Sequence, residues 1–167
     1  IKGYTLSELN LKNEIQGKNK LEEIKIKHKD NYNLELLRFP KYYQNLSNSN
    51  VLVSELVEGK TFDELLDAGE LDYEILLEFF KIHGFYLFGI GAFHGDIHPG
   101  NIILDKNKQI VLIDNGAIST VAKNTRIGLF NFFKALSCYN YKDSAKNLLA
   151  MSHTKISDEQ YNSFESE

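Results

Sequence analysis

A chain of 167 residues, 43% of them hydrophobic, can bury one sizeable core, so one domain or one and a fraction is expected. Its formal charge of -4 comes from acids and lysines interspersed along the chain, not gathered in a stripe, which argues against a nucleic-acid partner. The single cysteine, Cys138, excludes an internal disulfide framework and zinc spacing, and is expected to be a small core residue on an apolar helix face.

The sequence opens at Ile1 and reads as a fragment or processed product. Residues 6 to 26 carry apolar positions at 9, 11, 15, 21, 24 and 26 between Lys and Glu, which predicts a solvated amphipathic helix. Phe39-Pro40 ends an extended segment, residues 41–44 predict an edge strand, 45–50 a polar turn and 51–57 a second strand. Thr61-Phe62-Asp63-Glu64 is a capping box opening a helix that Gly69 ends. Residues 71–90 predict a long central helix with Leu76, Phe79 and Phe80 facing a core, its last turns loosened by Gly84 and Gly89. The longest apolar stretch, residues 75–93, is broken by Glu78, Lys81 and His83, so no transmembrane segment is expected. Helices over about 119–137 and 141–152 close the chain, with a polar tail expected to fray.

The most informative run is Phe93-His94-Gly95-Asp96-Ile97-His98-Pro99-Gly100-Asn101, followed by Ile113-Asp114-Asn115-Gly116. In the protein-kinase pattern a catalytic-loop Asp precedes a metal-binding Asn by five positions, and a second metal-binding Asp opens a turn further on. Asp96, Asn101 and Asp114 have that spacing. Pro99-Gly100 turns the chain, residues 101–104 predict a strand, 105–108 a hairpin connection and 109–113 the returning strand. The hairpin returns Asp114 to the height of Asn101, where their oxygens can hold a hard cation such as Mg²⁺, and Asp96 is left to position or deprotonate an acceptor. His94 is expected to bond backbone. For His98 two roles stay open, a phosphate donor or a tie within the loop.

The same letters resemble the UbiB/AarF/ADCK family of atypical kinases. His94-Gly95-Asp96-Ile97-His98-Pro99-Gly100-Asn101 is similar to its catalytic loop, residues 51–59 to its last small-lobe strand and hinge, and Glu8 to Glu14 to its acidic helix segment, with Asn10 where an Asp is usual. Ala135-Leu136, Asn140-Tyr141 and Ala145 resemble its later helical region. The resemblance implies an α+β, protein-kinase-like fold, mainly the helical C-terminal lobe with a remnant of the N-terminal-lobe sheet. Residues 1–57 would form the partial N-lobe and 58–167 the C-lobe.

It further implies ATP and Mg²⁺ as cofactors, Asp96 as the catalytic residue and Asn101 and Asp114 as metal ligands. Glu14 would be the helix carboxylate that pairs with a strand lysine, Glu55 and Val57 would offer backbone groups to adenine, and His98 would stand near the phosphates. The implied acceptor is a small molecule or lipid linked to isoprenoid quinone metabolism, in an intracellular setting with peripheral membrane association; the sequence lacks the A-P-E segment that helps hold peptide acceptors. No Gly-rich phosphate loop occurs, and seven residues before Glu8 are too few for one plus the lysine, so these 167 residues alone are expected to bind ATP weakly or not at all and to show no ATPase activity. Asn115 stands where a Phe is usual, and a polar residue there is expected to loosen the packing. An aminoglycoside- or choline-kinase-like phosphotransferase and a non-catalytic pseudokinase module are the alternatives.

Overall fold

The computed structural model describes residues 10–152 together with 157, 159, 160, 162 and 163. The expected helix start at residue 6, Glu8 and most of the polar tail lie outside the described residues. The chain divides into two compact units, one of Ile1–Tyr86 with Ala92–Ser119 and one of Leu87–Gly91 with Thr120–Glu167.

In the first unit, α1 (Lys12–His28) presents Glu14, Gly17 and Leu21 at i, i+3 and i+7, one face of a helix. Leu21 is 1% exposed, and its carbonyl accepts the Tyr86 hydroxyl at 2.7 Å. Gly17 is buried, and a Cβ there would land on the carbonyl oxygen of Asn115, so glycine is what lets α1 lie against that backbone.

A four-stranded sheet with order β1-β5-β4-β2 is built from β1 (Leu37–Arg38), β2 (Gly59–Thr61), β4 (Ile102–Asp105) and β5 (Ile110–Leu112). Here β1 runs parallel to β5, and the other pairs are antiparallel, with Ile103 opposite Val111. All three residues of β5 are buried, as expected of an interior strand covered on both faces. The hairpin between β4 and β5 turns through Lys108 at φ 61°, and Asp105 Oδ1 accepts the amides of Asn107 and Gln109 at 2.8 and 2.9 Å. Thr61 caps α2 (Phe62–Asp67) with both halves of the capping box formed, and Gly69 at φ 66° follows its end.

The predicted central helix is α3 (Tyr73–Gly84), capped by Asp72, and it gives way to a π-helical turn over Phe85–Ile90. The glycines thus mark where regular winding ends. Phe79 is buried, but Phe80, one position and 100° further round, is 61% exposed and is not a core residue. β3 (Ala92–His94) pairs with β6 (Ile118–Thr120), and the Gly95 amide donates to Ala117 O at 2.6 Å.

Residues 51–57 do not form the expected strand. Their pairing with 41–43 reduces to a bridge between Tyr42 and Ser54 and two backbone bonds, Tyr43 N–H to Val53 O at 2.8 Å and Glu55 N–H to Lys41 O at 2.9 Å. Pro40 and the 3-10 turn Gln44–Leu46 bracket a partner too short for a ladder.

The second unit contains α4 (Lys123–Ser137) and α5 (Tyr141–Met151), joined through Tyr139 at φ 56° and capped by Asn140, whose Oδ1 accepts the Asp143 amide at 3.1 Å. Cys138 falls in this connection and is exposed, not in a core, because α4 ends one residue before it.

Candidate nucleotide site

His94 closes β3 and is 3% exposed. Its Nε2 bonds Ile113 O at 3.0 Å and its Nδ1 accepts the Asp96 amide at 3.2 Å, which places the proton on Nε2. Burial pushes its pKa down, so the ring is a neutral tie between the loop and the end of β5. His98 Nδ1 accepts the Gly100 amide at 3.1 Å and caps the 3-10 turn Pro99–Asn101, leaving an exposed ring with Nε2 as donor. The loop is tied at both ends, and the Asp96 side chain between them is exposed.

Asn101 is buried. Its Nδ2 donates to Asp96 O at 3.1 Å, and its carbonyl accepts the Ile113 amide at 3.0 Å, which sets residue 101 beside the turn carrying Asp114. Asp114 is held at φ 55°, a left-handed conformation that costs a non-glycine residue about 1 kcal/mol or more and recurs where a side chain must be aimed.

Above this turn an open cleft of about 440 Å³ is lined by Glu14, Tyr42, Glu55, Val57 and Asp114, with Leu52, Ile103 and Ile113 among its apolar walls. Four of the residues expected at a cofactor, Glu14, Glu55, Val57 and Asp114, therefore share one cleft. Asn101, Asp96 and His98 belong to the loop and are not among its lining residues. The Glu14 carboxyl meets the Asp114 carboxyl and lies against the backbone at Gly116; burial and then Asp114 push its pKa up to about 7. Two acids converging on one point form an oxygen-rich spot that a proton or a divalent cation relieves. Among the described residues no three His, Cys, Asp or Glu side chains gather, so Mg²⁺ fits here only with phosphate and water oxygens completing its shell, as is usual for that ion.

The Glu55 side chain pairs with Arg38. Against the cost of burial, Arg38 and the Lys41 amide at 3.1 Å hold its carboxyl below the usual range. The same guanidinium reaches Asp105 at 3.4 Å. One ion pair, Glu55 with Arg38, thus fastens the 51–57 segment where a sheet ladder was expected, and Glu58 just beyond it pairs with Lys106 at 2.6 Å.

Three contributors were not legible in the sequence. Arg38 and Tyr42 act across long sequence separations that no local pattern announces. Gly17 left a signal, an isolated glycine within a helical pattern three residues after Glu14. Asn115 differs from expectation in environment: it is fully buried, its Nδ2 donating to Leu112 O at 3.0 Å.

The chain belongs to the ABC1 atypical kinase-like domain family, whose model matches residues 2–148. It is similar to an uncharacterized protein in the hydrogenase 1 5' region of Clostridium pasteurianum, at 29% identity over 143 residues, 81% of this chain and 25% of that one. The probable protein kinase UbiB of Glaesserella parasuis is 32% identical over 118 residues, 66% of this chain and 21% of that protein. AarF domain-containing protein kinase 1 of Xenopus laevis is 29% identical over 108 residues, 60% of this chain and 21% of that protein. The chain spans about a quarter or less of the length of these relatives. The solved complex of Rv3197 with erythromycin from Mycobacterium tuberculosis aligns with 93% of this chain and 39% of its own at TM-score 0.58 and 20% identity, a likeness of fold. The fold is α+β and kinase-like, with the small sheet and helices described above.

Proposed function

We propose that this chain is the core of a Mg²⁺- and ATP-dependent phosphotransferase or ATPase. The observation that carries this reading is the single cleft that joins the 55–57 segment to Glu14 and Asp114, with Asn101 and Asp96 tied to the same turn by the loop and hairpin. The adenine ring would lie between the apolar walls and bond the Glu55 carbonyl and the Val57 amide. Asn101 and Asp114 would hold Mg²⁺, which when bound neutralises charge on the β- and γ-phosphates. Asp96 would take the proton of the acceptor hydroxyl, or of water, as its oxygen attacks the γ-phosphorus and the bond to the bridging oxygen breaks, releasing ADP. The lack of an A-P-E segment after Gly116 favours a small-molecule or lipid acceptor over a peptide, and the relative named UbiB supports a link to quinone metabolism.

A second reading, nucleotide binding without turnover, is favoured by the engagement of Glu14 with Asp114 where active protein kinases use a lysine partner. Titration calorimetry with ATP, with and without Mg²⁺, and a phosphate-release assay separate the two. Asp114→Ala should abolish the Mg²⁺-dependent part of binding, and Asp96→Asn should keep binding while lowering turnover by about 10² to 10⁴. Binding without any turnover selects the second reading, and affinity independent of both Mg²⁺ and Asp114 overturns the metal assignment.

A further inference from the structure

The backbone of residues 55–57 borders the cleft and is tied only at its two ends. The Glu55 amide donates to Lys41 O at 2.9 Å, and just past Val57 the Glu58 carbonyl accepts the Lys106 amide at 3.3 Å. Among the described residues the Glu55 carbonyl and the amides of Leu56 and Val57 make no backbone hydrogen bond, so donors and an acceptor are left for whatever enters. Leu56 is 88% exposed, so core packing does not hold the segment either. An edge with neither a ladder nor a core anchor keeps one shape only if something else fixes it.

Arg38 supplies the fixing. It lies on β1, opposite Val111 of the interior strand β5. Its Nη1 donates to Glu55 Oε1, and its Nε stands 3.4 Å from Asp105 Oδ2 at the end of β4. Asp105 Oδ1 meanwhile accepts two hairpin amides, and Glu55 Oε2 accepts the Lys41 amide at 3.1 Å. Both carboxylates are thus held through both of their oxygens, with the guanidinium between them. We infer that Arg38 is a positioning residue, which mounts the unpaired 55–57 edge on the same strands, β4 and β5, that lead from Asn101 and to Asp114. A planar fork suits this task because its nitrogens reach two carboxylates in fixed directions. The inference rests on the nucleotide reading for its ligand, a nucleoside base at this edge with its phosphates at the Asp114 turn.

The test is Arg38→Gln in the full chain, with Arg38→Lys beside it. In the ligand-free protein, NMR order parameters of the 55–57 amides should fall from about 0.85 to about 0.6 or below, while those of β5 stay rigid. In NMR titrations, affinity for adenosine should fall about three- to tenfold, the worth of one hydrogen bond, and affinity for Mg²⁺ with inorganic triphosphate should hold. Arg38→Lys should recover part of the loss. Glu55→Gln loosens the same link and leaves Asp105 paired, so it should move both readouts in the same direction and keeps the test open if Arg38→Gln does not fold. Unchanged order parameters at 55–57 overturn the inference whatever binds. Unchanged adenosine affinity overturns it too, as does an equal loss for adenosine and triphosphate, which a merely structural role would produce. Lowered order parameters in a variant whose parent binds neither adenosine nor Mg²⁺-ATP support Arg38 as the holder of the edge and overturn the nucleotide reading instead.

Discussion

Glu14 and Asp114, one hundred positions apart in the chain, meet carboxyl to carboxyl in the lining of the cleft. The contact joins α1 to the turn after β5, so the protonation of one side chain bears on how firmly a helix is docked.

Stability should therefore fall as pH rises. The folded pKa of Glu14 is about 7 against an ordinary 4.5, so its protonated form is favoured by folding. That contribution is fully present below pH 4.5 and is lost as pH rises through about 7. Because the group is partly open to solvent, the change should be about 1 to 2 kcal/mol. Thermal unfolding at pH 5 and pH 8 reads it. Glu14→Gln, which mimics the protonated acid, should flatten the difference; an equal pH trend in both proteins would refute the assignment.

Asn115→Phe should destabilise the fold by about 1 to 3 kcal/mol, reversing what the letters alone suggest. The site is fully buried and closed on one side by the backbone of α1, so a larger ring must displace it, and Leu112 O loses its donor. Denaturant unfolding checks this. A gain in stability would mean the turn can open to admit the ring.

At Gly17 two effects oppose each other. Alanine is the better helix former by about 1 kcal/mol, but its Cβ would overlap the Asn115 carbonyl, which is backbone and cannot swing away. Overlap should prevail, with Gly17→Ala losing about 2 kcal/mol or more and nucleotide affinity falling with it. A more stable Gly17→Ala would show that α1 does not rest on the turn.

Removing the Arg38 guanidinium should leave Glu55 and the nearly buried Asp105 without their ion-pair partner. We expect Arg38→Gln to lose about 2 kcal/mol in urea unfolding. Arg38→Lys should recover only part of it, since a single ammonium cannot serve both carboxylates as the fork does. Full recovery by lysine would reduce the arrangement to one pair.

Local chemistry was readable in the sequence wherever it was decided locally. The capping box at Thr61 formed as its letters required, the apolar run Ile110-Val111-Leu112 became the interior strand, and the glycines from 84 on ended regular helix. Residues 51–57 misled because a run rich in valine and leucine specifies an extended backbone without saying whether a partner strand exists, and Pro40 and the turn after Tyr43 removed it. Phe80 misled because a helix with apolar neighbours on several faces leaves its inward direction undecided until something packs on it. In the candidate site, the spacing from Asp96 to Asp114 lies within one short run of letters; the meeting of Glu14 with Asp114 could not be read, since the two are one hundred positions apart.

The left-handed backbone of Asp114 sets two selective pressures against each other. Glycine would occupy that conformation without strain and asparagine with less of it, so a library randomised at position 114 and sorted for folding alone should drift toward those residues. The same library sorted for retention on immobilised nucleotide in the presence of Mg²⁺ should return aspartate. The distance between the two outcomes would measure how much conformational comfort the turn gives up to keep a carboxylate there.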